Sequence, residues 1–120
     1  MSDNGLLALL DGELELFPGI KLYTVDGHTK SMQIVEIRNN GNSLIYCADL
    51  APTSAHVNVP FVLGYDNFPL TTIAEKKKVL GRAYEESSII VFEHDAFCQA
   101  ARIGSNEKGF LVSEKITINA

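Results

Sequence analysis

Three residues of this 120-residue chain stand where apolar, β-prone runs give way to loops, and their types suit one chemistry. His28 lies in VDGHTKS, between the runs IKLYTV and MQIVEI, Asp49 directly follows SLIYCA, and His94 directly follows SIIVFE. Two imidazoles and a carboxylate are ligands for zinc, iron or manganese. Loops leaving the ends of buried strands can aim such groups into one shared cleft. Spacing leaves a second reading open, because any β-rich chain carries polar turn residues at its strand ends. Other candidates surround the three. His56, in PTSAH, can line a pocket beside Asp49 or sit at the surface as a helix-cap histidine. Asp95 can accept from His94 and fix its ring, or be a simple strand-end acid. Asp66, in GYDN, suits an acid that stabilises its own turn, or else one that meets substrate. Tyr65 and Phe68 suit either the wall of an apolar pocket or the anchor of their loop into the core. Cys47 reads as a core side chain.

The elements that position these residues follow from pattern and punctuation. LELF at 14–17 ends at the Pro18-Gly19 turn signal, and IKLYTV at 20–25 alternates with period two, as a half-buried strand does. MQIVEIR at 32–38 is a further strand, and Asn39-Asn40-Gly41-Asn42 is a hairpin turn. SLIYCA at 43–48 is apolar enough for a central strand buried on both faces. Residues 50–71 hold Pro52, Pro60, Gly64 and Pro69 with three aromatics, which predicts an ordered excursion with a short helical turn near 54–57. A helix is expected over 72–86. Thr72 and Glu75 have capping-box spacing, Ile73, Leu80, Ala83 and Tyr84 form an apolar stripe, and Lys76-Lys77-Lys78 face solvent. SIIVFE, CQAARIGS and FLVSEKITI complete the strands. The fold class is α+β, half of an αβ/βα sandwich: a mainly antiparallel, mixed sheet with one long helix.

Composition sets the outer bounds. Hydrophobic residues are 46% and charged residues 21%, with a formal net charge of −5, the profile of one soluble globular domain. The acidic balance and the lack of a basic patch argue against nucleic acid as a partner. No apolar run reaches the roughly 18 residues of a membrane span. LLALL at 6–10 lacks the basic flank of a signal peptide. With two cysteines that read as free thiols and no export signal, the cytoplasm is the expected compartment.

GHTKSMQIVEI, YCADLAPTSAH and IIVFEHDAF together resemble the second half of the metallo-β-lactamase superfamily, most of all its lactonase and parathion-hydrolase branch. Gly27-His28-Thr29 matches a motif after one strand, with Lys30-Ser31 where Pro-Gly is commoner. Ala48-Asp49-Leu50 matches a Gly-Asp-Leu-like turn, with Ala for Gly, and Glu93-His94-Asp95 matches a terminal histidine motif. The resemblance spans about residues 12–112. It implies a two-metal site in which His28 and His94 each complete one shell and Asp49 bridges. It also implies hydrolysis of a lactone, β-lactam-like or phosphotriester substrate by hydroxide activated on a divalent metal, zinc first, with iron or manganese as alternatives. Asp49 is the expected catalytic residue.

The chain departs from that pattern in one respect. The superfamily draws its other ligands from an upstream His-x-His-x-Asp-His motif, whereas this chain has three histidines and no His-x-His. The expectation is therefore a single domain, 1–120, equivalent to the C-terminal half of such a hydrolase. By itself it would be catalytically silent, its metal site empty or shared across a homo-oligomer formed through an uncovered sheet face. The alternative is a non-catalytic β-rich module for dimerisation or ligand binding.

Overall fold

The computed structural model describes residue 5 and residues 7–119; Leu6, the first residue of the LLALL run, lies outside them. Strands β1 (Leu14–Phe17), β2 (Ile20–Val25), β3 (Met32–Asn39), β4 (Asn42–Tyr46), β5 (Ile89–Val91), β6 (Ala100–Asn106) and β7 (Gly109–Ile116) form one sheet in chain order. One helix, α1 (Pro69–Glu85), and two 3₁₀ turns, Ala48–Leu50 and Ser54–Val57, complete the described elements. Neighbouring strands are antiparallel except β4 and β5, which are parallel. Short turns can join antiparallel neighbours, but a parallel pair needs a long crossover. Residues 47–88, with α1, are that crossover. The architecture is the α+β half-sandwich expected, a mixed sheet with a single long helix.

Register sorts the side chains into two sets. Glu36, Ile45, Ile90 and Ala101 are cross-strand partners and lie on one face. Ile34, Ile45, Ile90 and Ala101 pack there with Val79, Leu80 and Ala83 of α1 to make the core. Full burial of each large aliphatic side chain contributes about 1.5–3 kcal/mol, which outweighs the roughly 1 kcal/mol that Gly81 costs inside the helix. The buried Glu36 carboxylate is matched by the Tyr23 hydroxyl, which donates at 2.6 Å, and by Arg38 and Arg82 at 2.5 and 3.3 Å. On the other face, Leu22, Val35, Tyr46, Val91 and Ala100 form a second apolar row. None of these five belongs to the core cluster around α1. Leu44 and Tyr46 are only half-buried, so β4 is central in the sheet without being sealed on both faces.

The helix departs from expectation in three ways. It starts at Pro69, three residues early, because proline presets the backbone angle of a first turn and needs no N–H partner there. Its buried stripe is Thr72, Lys76, Val79, Leu80 and Ala83, while Ile73 is half-buried and Tyr84 exposed. Lys76 therefore does not face solvent; it is completely buried. Thr72 and Glu75 form no capping box either. The Glu75 carboxylate accepts from the backbone N–H groups of Asp26 and Gly27, both at 2.8 Å, across almost 50 residues of sequence.

Candidate metal centre

The turn carrying His28 is held from several sides. Asp26 Oδ1 accepts from the Ser31 N–H at 2.7 Å, within the turn. Glu75 takes the two N–H groups named above, so the start of the turn is tied to α1. The N–H groups of Asn67 and Phe68 donate to the carbonyls of His28 and Gly27 at 3.2 and 2.8 Å. Gly27 lies so close to the helix that a Cβ there would meet Thr72 Cα at 2.6 Å, with Thr72 N and Oγ1 closer still. Glycine is required by that approach.

Asp49 is presented differently. It sits in the 3₁₀ turn after β4, immediately behind Ala48, whose φ of 47° is in the left-handed region. An L-residue there is strained by about 1–2 kcal/mol, a conformation glycine would adopt freely. The strain turns the chain sharply at the strand end and leaves Asp49 partly exposed at the mouth of a cleft. His94 follows β5, and its N–H donates to the Pro52 carbonyl at 2.9 Å.

These three loops converge. His28 Nε2 lies 3.3 Å from Asp49 Oδ2, and His94 Nε2 lies 3.3 Å from Asp49 Oδ1. Each oxygen of one carboxylate thus faces a different imidazole nitrogen. Glu93 extends the group, with Oε2 3.9 Å from His94 Nε2, and ligand atoms of Asp49, Glu93 and His94 all fall within 4.8 Å of one another. His28 Nδ1 lies 2.7 Å from Oδ1 of Asp66, a buried residue whose second oxygen, Oδ2, is buried with no hydrogen-bond partner. A carboxylate at Nδ1 keeps the proton on that atom and turns Nε2 towards the cleft. His28, Asp49, His56, Leu63, Tyr65 and His94 are among the residues lining that cleft, about 440 Å³ in volume.

The remaining candidates divide. His56 lines the cleft but gives Nδ1 to Thr53 Oγ1 at 2.7 Å. Burial first, and the nearby Lys76 charge second, push its pKa down. Asp95 does not orient His94. Its carboxylate accepts from the Ser54 N–H and hydroxyl at 2.8 and 2.6 Å and from the Phe97 and Cys98 N–H groups at 2.9 Å. The Ser54 bonds come first among the causes that hold Asp95 far below the usual carboxylate range. Tyr65 and Phe68 are largely exposed and do not anchor their loop. Cys47 is completely buried, and burial pushes its thiol up to about 12. Sequence reasoning passed over Glu93, visible only as the neighbour of His94, and gave Asp66 to its own turn. It also missed Tyr46, whose hydroxyl is pushed up to about 12 by burial and then by Glu93.

Comparison with known proteins agrees with this arrangement at the level of fold. No family model and no curated protein matches the chain. Among solved structures, a probable metal-dependent hydrolase from Staphylococcus aureus aligns at 27% identity with a TM-score of 0.78, over 92% of this chain and 41% of that one. AidC, a dizinc quorum-quenching lactonase, aligns at 18% identity and 0.75, over 92% and 38%. An N-acyl homoserine lactone hydrolase with its product bound at the catalytic metal centre aligns at 26% and 0.61, over 72% and 35%. The structural neighbours of this chain are metal-dependent hydrolases of the metallo-β-lactamase superfamily, lactonases among them. The chain spans between about a third and two fifths of their length.

Proposed function

We propose that His28, Asp49 and His94 are the C-terminal share of a two-metal site in a metal-dependent hydrolase. One observation carries the reading: the two Asp49 oxygens each lie 3.3 Å from a different imidazole Nε2. The donor set fits two divalent cations, zinc first and iron or manganese as alternatives, with Asp49 as the bridging carboxylate. His28 would serve one ion and His94 the other, with Glu93 beside His94 as a further oxygen donor. Bound ions would supply Lewis-acid polarisation of a carbonyl or phosphoryl oxygen and a water of lowered pKa. Asp66 holds the His28 proton at Nδ1, and Leu63 and Tyr65 would wall a small-molecule substrate of the lactone, β-lactam-like or phosphotriester class.

The ligand shell is partial. A catalytic zinc usually has three protein ligands, whereas each ion here would have one imidazole, one shared carboxylate and, on one side, Glu93. Among the described residues no other imidazole pairs with Asp49. Full catalysis therefore requires ligands from outside these 120 residues, and the chain alone would be silent. Zinc content of the purified chain and of its His28→Ala variant tests the site. Zinc in the first and a clear loss in the second support it; none in either, with none near Asp49 in a soaked crystal, sinks it.

A second reading is favoured by the half-buried Val35, Tyr46 and Val91 of the second apolar row, which would serve as a dimerisation face of a non-catalytic module. Among the described residues no helix is long and apolar enough to cross a membrane. Cys47 and Cys98, both buried and unpaired, support a reducing, cytoplasmic setting.

A further inference from the structure

The segment between the second 3₁₀ turn and α1 has almost no regular structure, yet it supplies two walls of the cleft, Leu63 and Tyr65, and carries Asp66 near its end. Backbone carbonyls in such a segment must find donors or stay in water. Two of them find Lys76. Its Nζ, from a residue completely buried in α1, donates to the carbonyls of Asn58 and Phe61 at 3.0 and 2.5 Å. Asn58 O also accepts from the Phe61 N–H at 2.9 Å, which closes the bend. Among the described residues no carboxylate lies within ion-pair distance of this ammonium, and an isolated cation is costly to bury. Burial pulls the Lys76 pKa down to about 8, and the charge of Asp66 partly opposes that. An aliphatic side chain would fill the same space without that cost. What offsets that cost in this structure is the pair of carbonyls the ammonium holds.

We infer that Lys76 is a positioning residue of the candidate site: by tying the Asn58 and Phe61 carbonyls to α1 it fixes the segment that delivers Asp66, and through Asp66 it sets the His28 imidazole towards Asp49. The inference builds on the reading of His28 as a ligand, but its immediate consequence is the His28–Asp66 hydrogen bond, which exists without metal.

The test uses the full 120-residue chain in three forms: wild type, Lys76→Met, which keeps length and loses the donors, and Lys76→Arg, which keeps a cation with several N–H groups. The first readout is the His28 Nδ1 proton resonance, assigned by its loss in His28→Gln. The second is amide hydrogen exchange of residues 58–68 against the β3–β4 hairpin. Lys76→Met is expected to abolish or broaden the His28 proton signal and to speed segment exchange at least tenfold with the hairpin unchanged. Lys76→Arg is expected to restore both in part. Zinc affinity, by chelator competition, should fall about 10–100-fold in Lys76→Met, the cost of losing an outer hydrogen-bond partner. A folded Lys76→Met chain with an intact His28 signal overturns the inference, as does an exposed segment beside an unchanged signal. Should Lys76→Met fail to fold, Lys76→Arg decides, since signal and segment protection must then move together or the inference fails. If wild type takes up no zinc, the metal reading falls while the proton and exchange data still judge Lys76.

Discussion

Gly27→Ala is the sharpest test of how the His28 turn is held. The new methyl would stand 2.6 Å from Thr72 Cα, whereas carbon atoms prefer about 3.5–4.0 Å. The obstructing atoms include helix backbone, which cannot rotate away, so the turn must retreat from α1 by about 1 Å. That retreat stretches two bonds now at 2.8 Å, from the Phe68 N–H to the Gly27 carbonyl and from the Gly27 N–H to Glu75. Overpacking costs about 1–3 kcal/mol. A neutral hydrogen bond adds about 1 kcal/mol and one to a carboxylate about 1.5–3 kcal/mol. The total is roughly 3.5–7 kcal/mol, a large part of the 5–15 kcal/mol that holds a typical domain folded. Gly81→Ala is the control, since a Cβ there meets nothing within 4 Å and should stabilise the helix by about 0.5–1 kcal/mol. Equilibrium urea unfolding measures both, at unchanged m-value. If Gly27→Ala costs less than about 1 kcal/mol, the close approach to Thr72 is not what fixes the turn.

Other outcomes follow from the same geometry. Ala48→Gly should raise stability by about 0.5–1 kcal/mol, the left-handed strain of about 1–2 kcal/mol less the extra freedom glycine brings to the unfolded chain; a loss in urea unfolding would contradict the strain. Asp49→Asn should lower zinc affinity by more than the roughly 10–100-fold typical of an outer partner, and His56→Ala should leave it unchanged; equal losses in chelator competition would show that the cleft binds metal elsewhere. Asp95 is depressed in the folded state, so its stabilisation is complete above its unfolded value near 4 and is lost as pH falls towards its folded value. Asp95→Ala should accordingly flatten the loss of stability on acidification below about pH 4, and an identical acid limb in a pH series of unfolding curves would count against the Ser54 bonds. If the second apolar row mediates self-association, Val35→Lys should shift the chain to monomer in sedimentation velocity.

Much of the sheet was legible because strand signals are local. Alternation in IKLYTV, the Asn-Gly turn after β3 and the apolar run SIIVFE each carry their information within a few residues. The convergence of His28, Asp49 and His94 was open to inference from strand ends, since a strand fixes where its following loop begins. What stayed hidden depends on partners remote in sequence. Asp95 sits next to His94, so proximity suggested a bond between them, but the vacant donors were those of Ser54, 41 residues away. Asp66 resembled a turn acid because its true partner, His28, lies 38 residues upstream. Lys76 was indistinguishable from Lys77 and Lys78 as a charge run; only the fold places two carbonyls beneath it.

The misread helix start shows what these long-range partners have in common. Thr72 and Glu75 have the spacing of a cap, yet Thr72 presses against Gly27 and Glu75 takes the N–H groups of Asp26 and Gly27. Lys76, one residue on, holds the Asn58 and Phe61 carbonyls. Positions 72, 75 and 76 share one helix face, by the three- and four-residue spacing of the α-helix. A single turn of α1 therefore braces both loops that meet at His28, the turn that carries it and the segment that carries Asp66. Its polar residues interrupt a stripe that packing alone would fill with aliphatics. The first turns of α1 are thus better understood as the scaffold of the His28 side of the site than as the end of a core helix.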